Sequence, residues 1–348
     1  MTSAKTLPTR VQNTEVLDDL LSTPTSAAVE TMTRIDGDVI ILGVAGKMGP
    51  SLAAMVKRAS DAASAKRKII GVSRFGSAGS EEALQLQGIQ TIRADLLDQS
   101  ELDRLPDAPN VIYMAGMKFG SSGQEALTWA MNVYLPGMVC QKYRRSRIVA
   151  FSTGNVYGLT PVQRGGSVET DALDPMGDYA MSCVGRERMF EHFSRTLNIP
   201  ASIIRLNYAI ELRYGVLADL ARRVWQGDPI DVSMGNVNVI WQADANAMAI
   251  ASLQHAASPP FVLNVAGPEM LSVRNVCEQF GALMSRTPKF VGTESPTALL
   301  NNGQMGHRLY GYPRVSVETL IRWTADWISS GGASLGKPTH FETRDGRF

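Results

Sequence analysis

Runs of branched apolar residues, each closed by glycine or a polar residue, alternate with helical spacings through the first half of the chain. Val39-Ile40-Ile41-Leu42, ended by Gly43, is apolar on both faces, as a central parallel strand must be. Leu52, Met55 and Val56 then recur at helical spacing, and Gly43, Gly46 and Gly49 fall in the turn between. Further strands are read from Lys68 to Arg74, from Gln90 to Asp98, from Val111 to Lys118 with its exit loop, and from Arg147 to Gly158, which breaks into a polar loop. Trp129 to Val133 lies on the helix before the last of these. Such alternation predicts an α/β fold with a doubly wound parallel sheet of the Rossmann type. Ligands of these sheets bind at the carboxyl ends of the strands, where the polar endings converge.

Residues 1–36 read as an N-terminal helical extension, with short helices around Val16 to Leu21 and Ala27 to Met32, packed outside the nucleotide domain or on another subunit. Residues 37–207 form the dinucleotide-binding domain, and 208–348 supply mainly a smaller substrate-binding lobe with segments returning to the sheet. Helices are expected over Val216 to Val224, over Val273 to Leu283 after the cap Ser272, and over Val317 to Ile328. Trp323 and Trp327, four apart on one helical face, signal core or subunit packing, and His307 is read as a loop residue.

A chain of 348 residues can form one large domain or two that share a cleft. A net charge of +1 with 19% charged residues points away from nucleic acid and anionic membrane surfaces. Three scattered cysteines, Cys140, Cys183 and Cys277, suit neither a disulfide framework nor a zinc site, and no histidine has a partner at metal-ligand spacing. No metal is expected. No apolar run approaches the roughly 20 residues of a membrane span, and the first ten residues lack a signal-peptide core, so a cytoplasmic protein is expected.

The chemistry begins at the glycine turn. Gly43, Gly46 and Gly49, with Lys47 and Met48 between them, let a pyrophosphate approach bare backbone at a helix N-terminus. At the end of the second strand, where an acidic residue would bind ribose hydroxyls, stand Ser73 and Arg74, which favours NADP over NAD. Asp95-Leu96, at the third strand's end, forms a pattern that commonly touches adenine.

These motifs, in this order, resemble the extended short-chain dehydrogenase/reductase superfamily and its NAD-dependent epimerase/dehydratase group, from about Val39 to Ile328. The carriers are the three glycines, Asp95-Leu96, Ala115-Gly116-Met117-Lys118, Asn132-Val133, Ser152 to Gly158 and Tyr179-Ala180-Met181-Ser182-Cys183, with Glu187, Arg205, Asn207 and Asn264 as later landmarks. The resemblance implies Thr153 as the hydroxyl on the reacting oxygen and Tyr179 as the acid/base. It further implies Ala115, Gly116, Lys118, Asn132 and Tyr179 at the cofactor, Lys118, Asn155 and Asn207 at the substrate, and a homodimer. A local likeness of Gly43 to Gly49 to dihydrodipicolinate reductases explains nothing after the second strand.

Two departures matter. The Lys that usually follows the Tyr by four positions is Cys183 here, and a phenol of pKa about 10 is ionised only about one part in a thousand at pH 7. The oxidised nicotinamide's charge, or Lys118, could replace the missing ammonium; Cys183 itself is either a thiolate in the catalytic set or a small buried apolar residue. Asn238 stands where members acting on nucleotide-sugars carry a diphosphate-binding Arg, which points to a smaller substrate such as a free sugar or sugar acid. Arg213 is a candidate for an acidic substrate's carboxylate. The expected activity is NAD(P)-dependent oxidoreduction or epimerisation of a carbohydrate-like small molecule. The alternative is a regulatory or scaffold protein that keeps the cofactor site without turnover.

Overall fold

The first apolar run, Val39–Leu42, forms β1 and is wholly buried between two parallel neighbours, which is why all four residues are apolar. The computed structural model describes residues 7–118 and 123–346. Around β1 lie β2 (Ile69–Ser73), β3 (Gln90–Arg93), β4 (Asn110–Tyr113), β5 (Arg147–Thr153), β6 (Ala201–Leu206) and β7 (Phe261–Val265), in the spatial order β7-β6-β5-β4-β1-β2-β3. All six pairings are parallel. The order reverses between β1 and β4, so the crevice of a doubly wound sheet opens beside the turn after β1.

The N-terminal extension forms α1 (Thr14–Ser22), capped by Asn13, and α2 (Ser26–Arg34), capped by Thr25. Both pack on α3 (Gly49–Ala62), and α2 also packs on the Gln242–Ala251 helix, which resolves the placement left open by sequence in favour of this chain's own nucleotide-binding half. Leu17, Leu21 and Met32 are fully buried there. The helices Val216–Gln226, Val273–Met284 and Val317–Ser329 form as read, the second capped by Ser272 Oγ, which accepts from Asn275 N at 3.3 Å. Trp323 is buried edge-on against Trp241, a core contact.

Trp129 to Val133 lies on a helix as read, and within it residues Ala130–Tyr134 widen into a π-helical turn that turns Asn132 into the interior. One local reading differs. His307 lies within the Gln304–Tyr310 helix, buried and stacked on Tyr312 at 4.9 Å, because the segment folds under the loop after β7 instead of looping into solvent.

Candidate active site

The glycine turn is built for close backbone approach. Gly43 adopts φ +88°, and a Cβ there would fall 2.7 Å from Ala115 N in the β4 exit loop; a Cβ on Gly49 would fall 2.0 Å from the Val44 carbonyl oxygen. A side chain at either position would collide with that backbone. The N-terminus of α3 carries no side-chain cap; Gly46 N donates to the Gly43 carbonyl, Gly49 N to the Gly46 carbonyl, and Pro50 has no N–H. At the end of β2, Arg74 is exposed and lies 3.9 Å from the Asp95 carboxylate, whose Oδ1 accepts from Leu97 N. These residues fit a dinucleotide along the C-terminal edge of the sheet.

Beside that turn lies a cavity of about 140 Å³. Its walls come from the turn after β1 (Lys47, Met48), the β4 exit loop (Lys118), the end of β5 (Ser152, Thr153), the Gly177–Leu197 helix (Tyr179) and the segment after β6. The cavity thus gathers Thr153, Tyr179, Lys118, Asn155 and Asn207, which lie far apart in sequence. Thr153 Oγ1 accepts from Asn155 N and donates to Asn155 Oδ1 at 2.9 Å, which fixes the hydroxyl at the strand end. The Tyr179 phenol hydrogen-bonds Thr153, and burial pushes its pKa far above the ordinary value. The Lys118 ammonium sits 5.6 Å from the centre of the Tyr179 ring.

Two half-buried lysines share this space. Lys47 crosses the cleft to donate to the Ala209 carbonyl and lies 3.5 Å from the centre of the Tyr214 ring; burial pushes its pKa down to about 7, with Glu211 opposing. Lys118 is pushed down to about 8 by burial. Neither lysine's ammonium was expected to face the cavity together with the other. The signal available in sequence was a Lys inside the glycine turn, where only backbone is needed.

Three sequence expectations change on the geometry. Cys183 is fully buried among Val156, Tyr157 and Tyr179, where it hydrogen-bonds the Tyr179 phenol, and burial pushes its thiol up, so it is a thiol and not a thiolate. Arg213 does not line the cavity, because its guanidinium is held by Glu211 at 3.1 Å and by Asp18 of α1 at 2.9 Å. Asn132 is wholly buried: its Oδ1 accepts from Met117 N, and its Nδ2 donates to the Met117 carbonyl and to Ser182 Oγ. Any effect of Asn132 on a cofactor is therefore indirect, through the loop it holds.

Behind the cavity runs a buried polar network. Arg205 donates to both oxygens of Glu187, at 2.8 to 3.2 Å, Ser152 Oγ donates to Glu187 Oε1 at 2.6 Å, and Arg205 Nη1 donates to the Tyr157 hydroxyl, which donates to Asn264 Oδ1. Asn238 is buried as well, accepting from Asn207 Nδ2 and donating to the carbonyls of Asn301 and Gly267. Sequence marked these positions as landmarks without showing that their partners are one another.

Residues 39–235 match the model of the NAD dependent epimerase/dehydratase family. The chain belongs to that family. Solved structures with the same fold include the dTDP-glucose 4,6-dehydratase of Bacillus anthracis in complex with NAD, at TM-score 0.70 and 16% identity, covering 85% of this chain and 97% of that one. The UDP-glucuronic acid 4-epimerase of Bacillus cereus in complex with NAD aligns at TM-score 0.69 and 18% identity over 84% of this chain and 99% of its own. The Thermus thermophilus UDP-glucose 4-epimerase in complex with NAD aligns at TM-score 0.68 and 19% identity over 83% and 98%. No curated protein sequence matches the chain. As a family member it has the extended short-chain dehydrogenase/reductase architecture, and among its described residues no helix is long and apolar enough to cross a membrane.

Proposed function

We propose that this family member exchanges a hydride with a small, anionic, carbohydrate-like substrate, with Tyr179 as the proton-transferring group and Thr153 holding the reacting oxygen. The observation that carries the reading is the pairing of those two hydroxyls in one cavity at the strand ends, next to a glycine cradle. A nicotinamide dinucleotide, when bound, supplies the acceptor for the hydride that leaves the substrate carbon as its carbinol becomes a carbonyl. Tyr179 Oη takes the hydroxyl proton in that step and returns it when the carbonyl is reduced. Thr153 donates its one O–H to Asn155 Oδ1, so it holds the reacting oxygen by turning that O–H from Asn155 to the substrate. The test is turnover against free sugars, aldonates and uronates, followed by nicotinamide absorbance and by product stereochemistry. No oxidation, reduction or inversion of any of them overturns the reading in favour of a cofactor-binding regulatory protein, which the raised Tyr179 pKa and buried Cys183 favour.

The substrate class rests on charge. The Asn238 amide, committed to neighbours, offers no charged fork for a diphosphate. Lys47 and Lys118 offer two ammoniums in its place. Both lose their charge as pH rises through their lowered pKa values, so their attraction for an anion weakens through about pH 7 for Lys47 and about pH 8 for Lys118. Uronate affinity is therefore expected to fall about tenfold or more across that range, with proton uptake on binding at its midpoint, while affinity for an uncharged sugar stays flat. Calorimetry in two buffers of different ionisation enthalpy measures both quantities. Equal pH dependence for charged and neutral sugars would remove the lysines from substrate binding.

The cofactor preference we infer is NADP, from exposed Arg74 at the end of β2 with no acid in the ribose-binding position. The structural neighbours named above hold NAD, so the NADP reading rests on Arg74 alone. NADP is expected to bind about tenfold tighter than NAD, roughly 1.4 kcal/mol, and to raise the thermal midpoint more at equal concentration, with Arg74→Glu reversing the order. A larger shift with NAD would sink it. A homodimer is supported by an apolar groove lined by Trp129, Val133, Tyr134, Met138, Met189 and Phe193, in which Tyr134 is 63% exposed.

A further inference from the structure

The helix Gly177–Leu197 places positions 179, 183 and 186 on one face, at spacings of four and three. With Cys183 short and buried, the long side chain on that face is Arg186, itself only 7% exposed. Its Nη1 donates to the Phe151 carbonyl at 2.8 Å, one strand position from Ser152 and two from Thr153, and its Nη2 donates to Asn132 Oδ1. The guanidinium also lies directly beneath the β4 exit loop, since a Cβ on Gly116 would fall 2.2 Å from Nη2. It therefore touches β5, the π-helical turn and the loop that carries Lys118; the end of β5 and that loop line the cavity together with Tyr179.

We propose that Arg186 is the positioning residue that supplies the fixed positive charge beside Tyr179, replacing from one turn further along the helix the ammonium absent at Cys183. This rests on the reading of Tyr179 as the proton-transferring group. The groups facing the guanidinium are Asn132, the Phe151 carbonyl, the Tyr113 ring at 5.9 Å, Cys183, Tyr179 and Glu187, and Glu187 is already committed to Arg205. The Arg186 Nε–H is buried with no acceptor among the described residues, so the cation is not neutralised by a carboxylate of its own. Its proximity works against the burial that raises the Tyr179 pKa. Lys118 is less suited to the task, because its charge varies near pH 8, whereas a guanidinium stays charged. The short thiol at 183 and the buried Arg at 186 are then one paired adaptation: a Lys at 183 would crowd and repel a cation already in place.

The experiment places 3,5-difluorotyrosine at position 179, which brings phenol ionisation into an accessible pH range, and reads the midpoint by fluorine NMR without any turnover. Arg186→Met is expected to raise that midpoint so that the phenol is about tenfold less acidic, and C183K/R186M, which returns a cation to position 183, to restore it within about threefold of the parent. A folded Arg186→Met with an unchanged midpoint overturns the proposal, as does a double variant that fails to restore it. If Arg186→Met does not fold, the double variant carries the test by itself. Absence of turnover in the wild type would strike the proposed function and leave the fluorine result intact, so the two failures are distinct.

Discussion

Tyr179→Phe is expected to lower turnover by about 10²–10⁴-fold, the range ordinarily lost with a general acid/base, while leaving the thermal midpoint within a few degrees. The substitution removes one oxygen and keeps the ring that packs against Val156, Tyr157 and Cys183, so the fold loses the phenol's hydrogen bonds with Thr153 and Cys183, about 1 kcal/mol each. The chemistry loses its proton acceptor. Burial raises the Tyr179 pKa, so at neutral pH nearly all of the wild type carries the phenol. The oxidative half-reaction, which needs the phenolate, should then gain close to tenfold for each pH unit, and the reductive half-reaction, which needs the phenol, should change little over the same range. In the Phe variant the pH slope of oxidation disappears with the rate. Nicotinamide absorbance measures a net redox reaction, and inversion at the carbinol carbon, read from product stereochemistry, measures a redox-neutral one, because the hydride returns to the carbon it left. Wild-type rates, or a retained pH slope, in the variant would remove Tyr179 from the mechanism.

The parts of this molecule legible in its sequence are those fixed by local pattern. The buried run Val39–Leu42 and the glycines after it declare strand, turn and helix because each requirement is met by adjacent residues. The strand endings at Ser73, Asp95, Lys118 and Thr153 point to one edge because parallel strands leave no other arrangement. What was not legible depends on partners far along the chain. Arg213 was a candidate for substrate carboxylate, yet Glu211, two residues away, and Asp18, in the N-terminal extension, already hold it. Lys47 sits in a turn where glycine spacing suggests backbone alone matters, and only the folded cleft shows its ammonium reaching the Ala209 carbonyl. Arg186 carried one usable signal, the 179, 183, 186 spacing that puts it on the face of Tyr179. Nothing in that spacing tells an inward Arg from one lying along the surface, and the π-helical turn that delivers Asn132 to it is invisible to periodicity.

Removing the carboxylate of Glu187 is expected to destabilise the protein by about 3–5 kcal/mol, the cost of leaving a buried ion without its partner. Arg205 and Glu187 have side chains only 7% and 4% exposed, and three guanidinium hydrogen bonds at 2.8 to 3.2 Å join them. In Glu187→Met the methionine fills the volume but accepts no proton, so the Arg205 cation keeps Tyr157 and the Glu169 carbonyl and loses all countercharge. Ser152 Oγ loses its acceptor too, which frees the residue next to Thr153 at the end of β5. Activity should therefore fall with stability, and by a different route from Tyr179→Phe: the pH slope of oxidation survives because the phenol is untouched. Replacing both partners by methionine should recover most of the lost stability, since no unpaired charge remains, while activity stays low because Ser152 still lacks its acceptor. Guanidinium denaturation midpoints of the wild type, both single variants and the double variant close the cycle. A single variant as stable as the wild type would mean that water reaches Arg205, and the network behind the cavity would then be a wet cleft and not the rigid wall that holds Thr153 in line with Tyr179.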